Sequence, residues 1–254
     1  MRRIAVIATA AVLVAASGAA YAATTGPFAN SVSGVTKKPG TPSKPVSTGW
    51  TLNLTAQPSG NLRGPILLDV KTKIYGLKVD GKDFATCSFA KIEAAHNDNV
   101  CPKKAEVATG YIQAVLGDST DFTKTGAACD PGLDVWNGGQ GKATYFFYTN
   151  NAHQCLGGAL KTGATPPYAG TYKMVGKYFE TDTPIPNAIN YPVQGLVGSL
   201  QYEHLVFNTQ TKGGHISTES VGCLKGKRPF AVTTTTTRPG SPNVVATVNG
   251  SDPC

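Results

Sequence analysis

Trp50-Thr51-Leu52-Asn53-Leu54-Thr55-Ala56 sets apolar side chains at 50, 52, 54 and 56 against polar ones at 51, 53 and 55. A period of two puts the first set on one face of an extended chain and the second on the other, so this stretch predicts a half-buried strand. Working outward, 66–70, 75–79, 106–116, 133–136, 143–149, 171–179, 196–208, 216–221, 230–237 and 244–248 read the same way. Trp136-Asn137-Gly138-Gly139 and Arg238-Pro239-Gly240-Ser241-Pro242 are turn signals between β-rich runs, where hairpins are expected. Helical spacing appears weakly and only over 89–95. Thr233 to Thr237 would suit a glycosylated stalk in a linker. Flanked by Phe230-Ala231-Val232 and a Pro-Gly turn, the five threonines read as a β-branched strand. Many short strands with Gly and Pro punctuation predict an all-β fold: an antiparallel β-sandwich, jelly-roll or immunoglobulin-like, stapled by disulfides and with little helix.

Composition agrees with a packed domain. The 254 residues are 41% hydrophobic and 8% aromatic, which excludes disorder over the whole length. Apart from the N-terminus, no apolar run approaches the roughly 20 residues a membrane helix needs. Residues 1–22 read as a secretory signal peptide: Met1-Arg2-Arg3 is a short basic start, Ile4 to Ala16 an apolar run, and Ala20-Tyr21-Ala22 a small-x-small cleavage site. No cysteine follows that site to take a lipid, and no hydrophobic tail precedes Cys254, so no membrane anchor is expected. Cleavage removes Arg2 and Arg3 and lowers the formal charge from +8 to +6. Residues 23–48, rich in Gly, Pro, Ser, Thr and Lys, read as a flexible basic tail, and 49–254 as a single β domain.

Cys87, Cys101, Cys129, Cys155, Cys223 and Cys254 all lie in the exported part, and an even number there predicts three disulfides. Of the 15 possible pairings, joining sequence neighbours is preferred. Cys87 and Cys101 bracket a short polar loop, and Cys223 and Cys254 flank the Pro239-Gly240 turn at similar distances. No C-x-x-C pair suggests zinc, which leaves His153-Gln154-Cys155 as an isolated His near a Cys.

Pro65-Ile66-Leu67-Leu68-Asp69-Val70, then Cys87, then Cys101-Pro102-Lys103-Lys104-Ala105-Glu106-Val107-Ala108-Thr109-Gly110 form a recognisable succession. It resembles uncharacterised secreted proteins of high-GC actinobacteria, in which a strand leads to a loop Cys and then to Cys-Pro-x-x-(small)-x-Val-(Gly/Ala)-x-Gly. Cys223-Leu224-Lys225-Gly226-Lys227-Arg228-Pro229-Phe230 is similar to their closing Cys before a last hairpin. Ala108 departs from the usual Gly, and Cys129, Cys155 and Cys254 stand outside the pattern. The resemblance implies a secreted β-sandwich-like domain and carries no activity or site residue.

Chemical motifs are sparse. G-x-S-x-G is absent, since Gly195-Leu196-Val197-Gly198-Ser199 has those residue types in another order, and Gly138-Gly139-Gln140-Gly141-Lys142 lacks the phosphate-loop spacing. Glycoside hydrolysis needs two suitably spaced carboxylates, and Glu180 and Asp182 share a strand face near Tyr178. Pro184 and Pro186 follow at once, which places that pair at a strand end in solvent. Glu203 and His204 fall on opposite faces and read as a surface acid and a satisfied histidine. Asp118-Ser119-Thr120-Asp121 has too few carboxylates for a calcium loop, and His96-Asn97-Asp98-Asn99 reads as a turn. Tyr145-Phe146-Phe147-Tyr148 could stack sugars but reads first as core. Lys37, Lys38, Lys44, Lys103, Lys104, Lys225, Lys227 and Arg228 form small clusters without a nucleic-acid stripe. The sequence therefore predicts a secreted, non-catalytic binding or structural protein, with no cofactor and no metal. Its expected partners are anionic cell-envelope polymers or an extracellular protein. A secreted carbohydrate-active hydrolase is the alternative.

Overall fold

The computed structural model describes residues 26–57 and 60–254, so the signal peptide expected over 1–22 lies outside the described residues. In chain order the first strands are β1 (Phe28–Ser33), β2 (Val46–Ser47), β3 (Trp50–Ala56), β4 (Ile66–Tyr75) and β5 (Leu77–Val79). Helix α1 (Phe89–Ala95) leads to β6 (Glu106–Asp118), β7 (Ala127–Cys129), β8 (Gly132–Gly139), β9 (Lys142–Tyr148), β10 (Tyr168–Val175) and β11 (Tyr178–Pro184). Helix α2 (Asn187–Asn190) precedes β12 (Leu196–Phe207), β13 (Thr211–Lys212), β14 (His215–Ile216), β15 (Thr218–Ser220), β16 (Lys227–Thr237) and β17 (Val244–Pro253).

The main sheet is antiparallel, in the order β1-β3-β12-β6-β8-β9-β10-β11-β4-β16-β17, with β7 paired to β6 beyond the end of β8. It curls until its edges, β1 and β17, lie side by side. The expected sandwich is thus replaced by a nearly closed barrel. Alternation reports one buried face per strand, and both architectures satisfy it equally. What distinguishes them is curvature. Long strands, among them 13-residue β6 and 12-residue β12, carry it, together with register breaks at Glu106/Ala108, Asn137/Gly139, Leu200/Tyr202 and Thr235/Thr236. Bulges bend strands and are the usual means of closing a sheet on itself.

A second correction concerns the segment 23–48. Within it, β1 pairs with β3 from Phe28↔Ala56 to Ser33↔Thr51, and Phe28 and Val32 are 1% and 4% exposed. Only two inward apolar groups are needed there, because Leu52 and Leu54 on β3 supply the rest of the local core. The run expected as one strand over 171–179 is a hairpin, β10 to β11, that turns at Gly176 (φ 59°), a backbone conformation L side chains rarely adopt.

Inward residues of several strands, such as Leu54, Ile74, Leu133, Val135, Leu205 and Val232, fill the barrel. Helix α1 and the 87–101 loop lie on the outer face of β8 and β9, where Ile92, Cys87, Trp136 and Phe146 form a smaller core. The β2-β15-β5 sheet packs beside the main one. Disulfides join Cys87–Cys101, Cys129–Cys155 and Cys223–Cys254, the sequence-neighbour pairing. Beside the β1/β17 edges, Arg228 is 1% exposed. It donates to the Ser220 hydroxyl (2.8 Å) and to the carbonyls of Thr36 (3.2 Å) and Gly222 (3.3 Å). Its cross-strand partner Asp252 accepts the Val35 N–H.

Candidate binding cavity in the barrel

Eight strands enclose an interior that side chains just fill, and diameter grows with strand number. With eleven strands along the main path of its sheet, this barrel keeps residual space. An opening of mainly apolar lining, about 90 Å³, lies between β6, β9, β12, α2 and the loop held by Cys129–Cys155. Ile112, Ala114, Leu116, Phe147, Leu160 and Leu200 supply much of its wall, and Lys161 also lines it. A smaller space of about 20 Å³ follows, sharing Tyr168, Ile185 and Glu203 with the first. A third of about 50 Å³ shares Trp50, Tyr145 and Phe207 with the second. A larger space of about 430 Å³ lies on β4, β10 and β11 among Lys71, Lys73, Glu180 and Asp182.

Glu203 stands where the first two spaces meet. Its neighbours across the sheet are Leu54 on β3 and Ile112 on β6, both of the barrel interior. The orientation comes from the bulge: Leu200 pairs with Ala114 and Tyr202 with Gln113, so Gln201 is an extra residue that reverses the in-out parity of β12. Strict alternation counted from Leu200 would turn Glu203 outward, whereas the bulge puts it on the face of Leu205 and Phe207. Burial pushes the Glu203 carboxyl up to about 7, and no other cause contributes. Charge is costly in such surroundings unless a partner answers it.

Other polar groups border the same space. Tyr145 and Tyr168 stack with ring centroids 4.9 Å apart, and Phe147 lies 5.8 Å from Tyr168. The Tyr145 hydroxyl is 3.2 Å from the Thr183 hydroxyl. Burial pushes Tyr145 up to about 12 and Tyr168 well above its ordinary value, with the Glu203 charge a smaller contribution to each. Both tyrosines therefore keep their protons and act as neutral polar groups.

The carboxylates singled out by sequence are arranged otherwise. Glu180 and Asp182 lie on β11 between β10 and β4, where Glu180 is 2.8 Å from Lys73 and Asp182 is 3.1 Å from Lys71. Lys71 also reaches Asp69 at 3.4 Å, and Lys73 covers the Tyr178 ring at 4.5 Å. They are mid-strand, correcting the expected strand-end position; Glu180 pairs with Lys73, and Asp182 shares Lys71 with Asp69. A glycosidase pair needs one carboxyl held neutral to act as the acid.

Glu203 corrects the reading of a surface acid, while His204 does face outward and meets Asn53 Oδ1 at 2.7 Å. Tyr145 and Phe147 face the cavities, whereas Phe146 and Tyr148 pack against the Trp136 cluster outside. Asp118 accepts from the N–H groups of Thr120 and Asp121 and pairs with Lys124 at 2.8 Å, which holds it well below the usual carboxylate range. It closes a turn. His153 packs on Tyr111 and Tyr148, and Cys155 is disulfide-bonded. Among the described residues no group of three His, Cys, Asp or Glu is placed to hold a metal ion. The chain matches no protein-family model and no curated protein.

Proposed function

We propose that this chain is a secreted binding protein that holds a small, mainly apolar molecule inside the barrel, at the end framed by α2 and the Cys129–Cys155 loop. The observation that carries the reading is the apolar cavity of about 90 Å³ with Glu203 among the groups that line it. Concave apolar sites with few polar groups are where small ligands bind, and β-barrels form them in their interiors. Three disulfides support the extracellular setting, because such bonds persist in oxidising compartments. The paired state of Glu180 and Asp182 gives no support to the hydrolase alternative.

The test is thermal unfolding with the small neutral alcohol n-butanol as probe. Gly198 lines the cavity, and a Cβ added there would lie 3.6 Å from the Asn190 carbonyl oxygen and 3.7 Å from Leu116 Cδ2, an ordinary fit. Gly198→Leu fills the space without backbone strain. The alcohol is expected to raise Tm in the parent protein and not in the variant, since binding to the folded state alone stabilises it. No concentration-dependent rise in the parent protein would remove the reading. Recovery of the cleaved protein from the culture medium checks the secreted setting.

A further inference from the structure

The cavity reading leaves a chemical question, because an apolar ligand alone gives Glu203 nothing. We infer that the ligand carries a basic nitrogen, an alkylammonium or similar cation, whose charge meets the Glu203 carboxylate while its apolar body fills the space toward α2 and Leu160. This rests on the proposal that the barrel cavity is the binding site.

Three observations converge. The carboxylate points into the barrel by a deliberate change of strand parity, at a bulge between Leu200 and Tyr202. Among the described residues it has no ion-pair partner within the barrel, and Lys161, the cation lining the cavity, contributes nothing to its charge state. Glu203 shares the space with electron-rich faces: the Tyr168 and Phe147 rings line the same cavity, and Tyr145 stacks behind Tyr168. Such faces attract a desolvated ammonium, and a carboxylate hydrogen-bonded by N⁺–H makes roughly twice the bond of a neutral pair. An anionic ligand would meet repulsion from Glu203.

Size fits a small head. A dry cavity of about 150 Å³ binds benzene, so about 90 Å³ accepts a short alkyl chain with its ammonium. A longer body extends through the mouth.

The experiment compares n-butylammonium, n-butanol and butyrate by titration calorimetry with the full exported chain at about pH 8. There Glu203 is ionised while an amine of lysine-like pKa stays protonated. Butylammonium is expected to bind roughly tenfold more tightly than butanol, and butyrate not at all. Glu203→Gln keeps the shape and should erase the preference for the amine while sparing butanol. Gly198→Leu should remove both, and Ala114→Leu on the same wall serves if the first variant loses its near-UV circular dichroism. Equal binding of amine and alcohol, or an amine preference that survives Glu203→Gln, overturns the cationic ligand and leaves the cavity reading intact. Failure of all three probes overturns the cavity reading, and this inference with it.

Discussion

Asp98, in the loop closed by Cys87–Cys101, shares a hydrogen bond with the Asp134 carboxyl on β8 and accepts the Trp136 indole N–H at 3.2 Å. Two carboxyls can make that contact only when one is protonated. Burial, then the charge of Asp98, then that of Glu106 push Asp134 up to about 7. Its proton is thus part of what holds the loop and α1 against the barrel wall.

The sign of the pH effect follows. A carboxyl whose folded pKa exceeds its unfolded one stabilises the fold fully below about pH 4, and that contribution is lost as pH rises through about 7. Tm is expected to fall between about pH 5 and about pH 8, with Trp136 fluorescence shifting to longer wavelength as the loop loosens. Asp134→Asn should flatten the slope. An unchanged slope in that variant would refute the assignment.

Glu203 has the same sign through a different cause. Without ligand its buried charge opposes folding above about pH 7, so Glu203→Gln should stabilise the protein at about pH 8 on the order of 2 kcal/mol and change little near pH 4. Urea unfolding at both values measures it. A destabilised glutamine variant at the higher value would mean that the carboxylate has a counter-charge in the folded protein.

Phe28 is 1% exposed within a segment whose composition suggests a tail. Phe28→Ala should cost about 3 kcal/mol, as core phenylalanine truncations do. Deleting residues up to 33 should cost more, because it strips the partner of β3. A Tm unaffected by the deletion would show that β1 is dispensable.

The protein should contain no free thiol, since all six cysteines are paired. Alkylation without reduction, read by mass, should add nothing. Replacing Cys223 and Cys254 together by Ser should lower stability by roughly 3 to 4 kcal/mol from chain entropy, in view of their 31-residue separation.

Strand positions were legible because alternation at Trp50–Ala56 or Phe230–Thr237 is a local property of residue types. The disulfides were legible from count and spacing. Barrel closure was not, because the direction in which a sheet curls depends on register breaks that no residue type announces. The cavity carboxyl was missed for the same reason. Strict alternation describes Glu203 and His204 correctly as opposed, but the extra residue at Gln201 shifts the phase, so counting from Leu200 puts the wrong one inside. β1 was missed because Asn30 and the serines around Phe28 and Val32 dilute a short signal. Glu180 and Asp182 drew attention as a pair, while the lysines that neutralise them come from a strand more than a hundred residues earlier.

Ten junctions along the strand order are laced by ladder hydrogen bonds, whereas β1 and β17 lie side by side without a ladder. The circumference of the wall is therefore fixed everywhere but along one unstitched line. Parting that line breaks no ladder, but it must give up the hydrogen bonds from Val35 N–H to Asp252 and from Arg228 to the Thr36 carbonyl, so these few bonds act as the clasp of a sleeve.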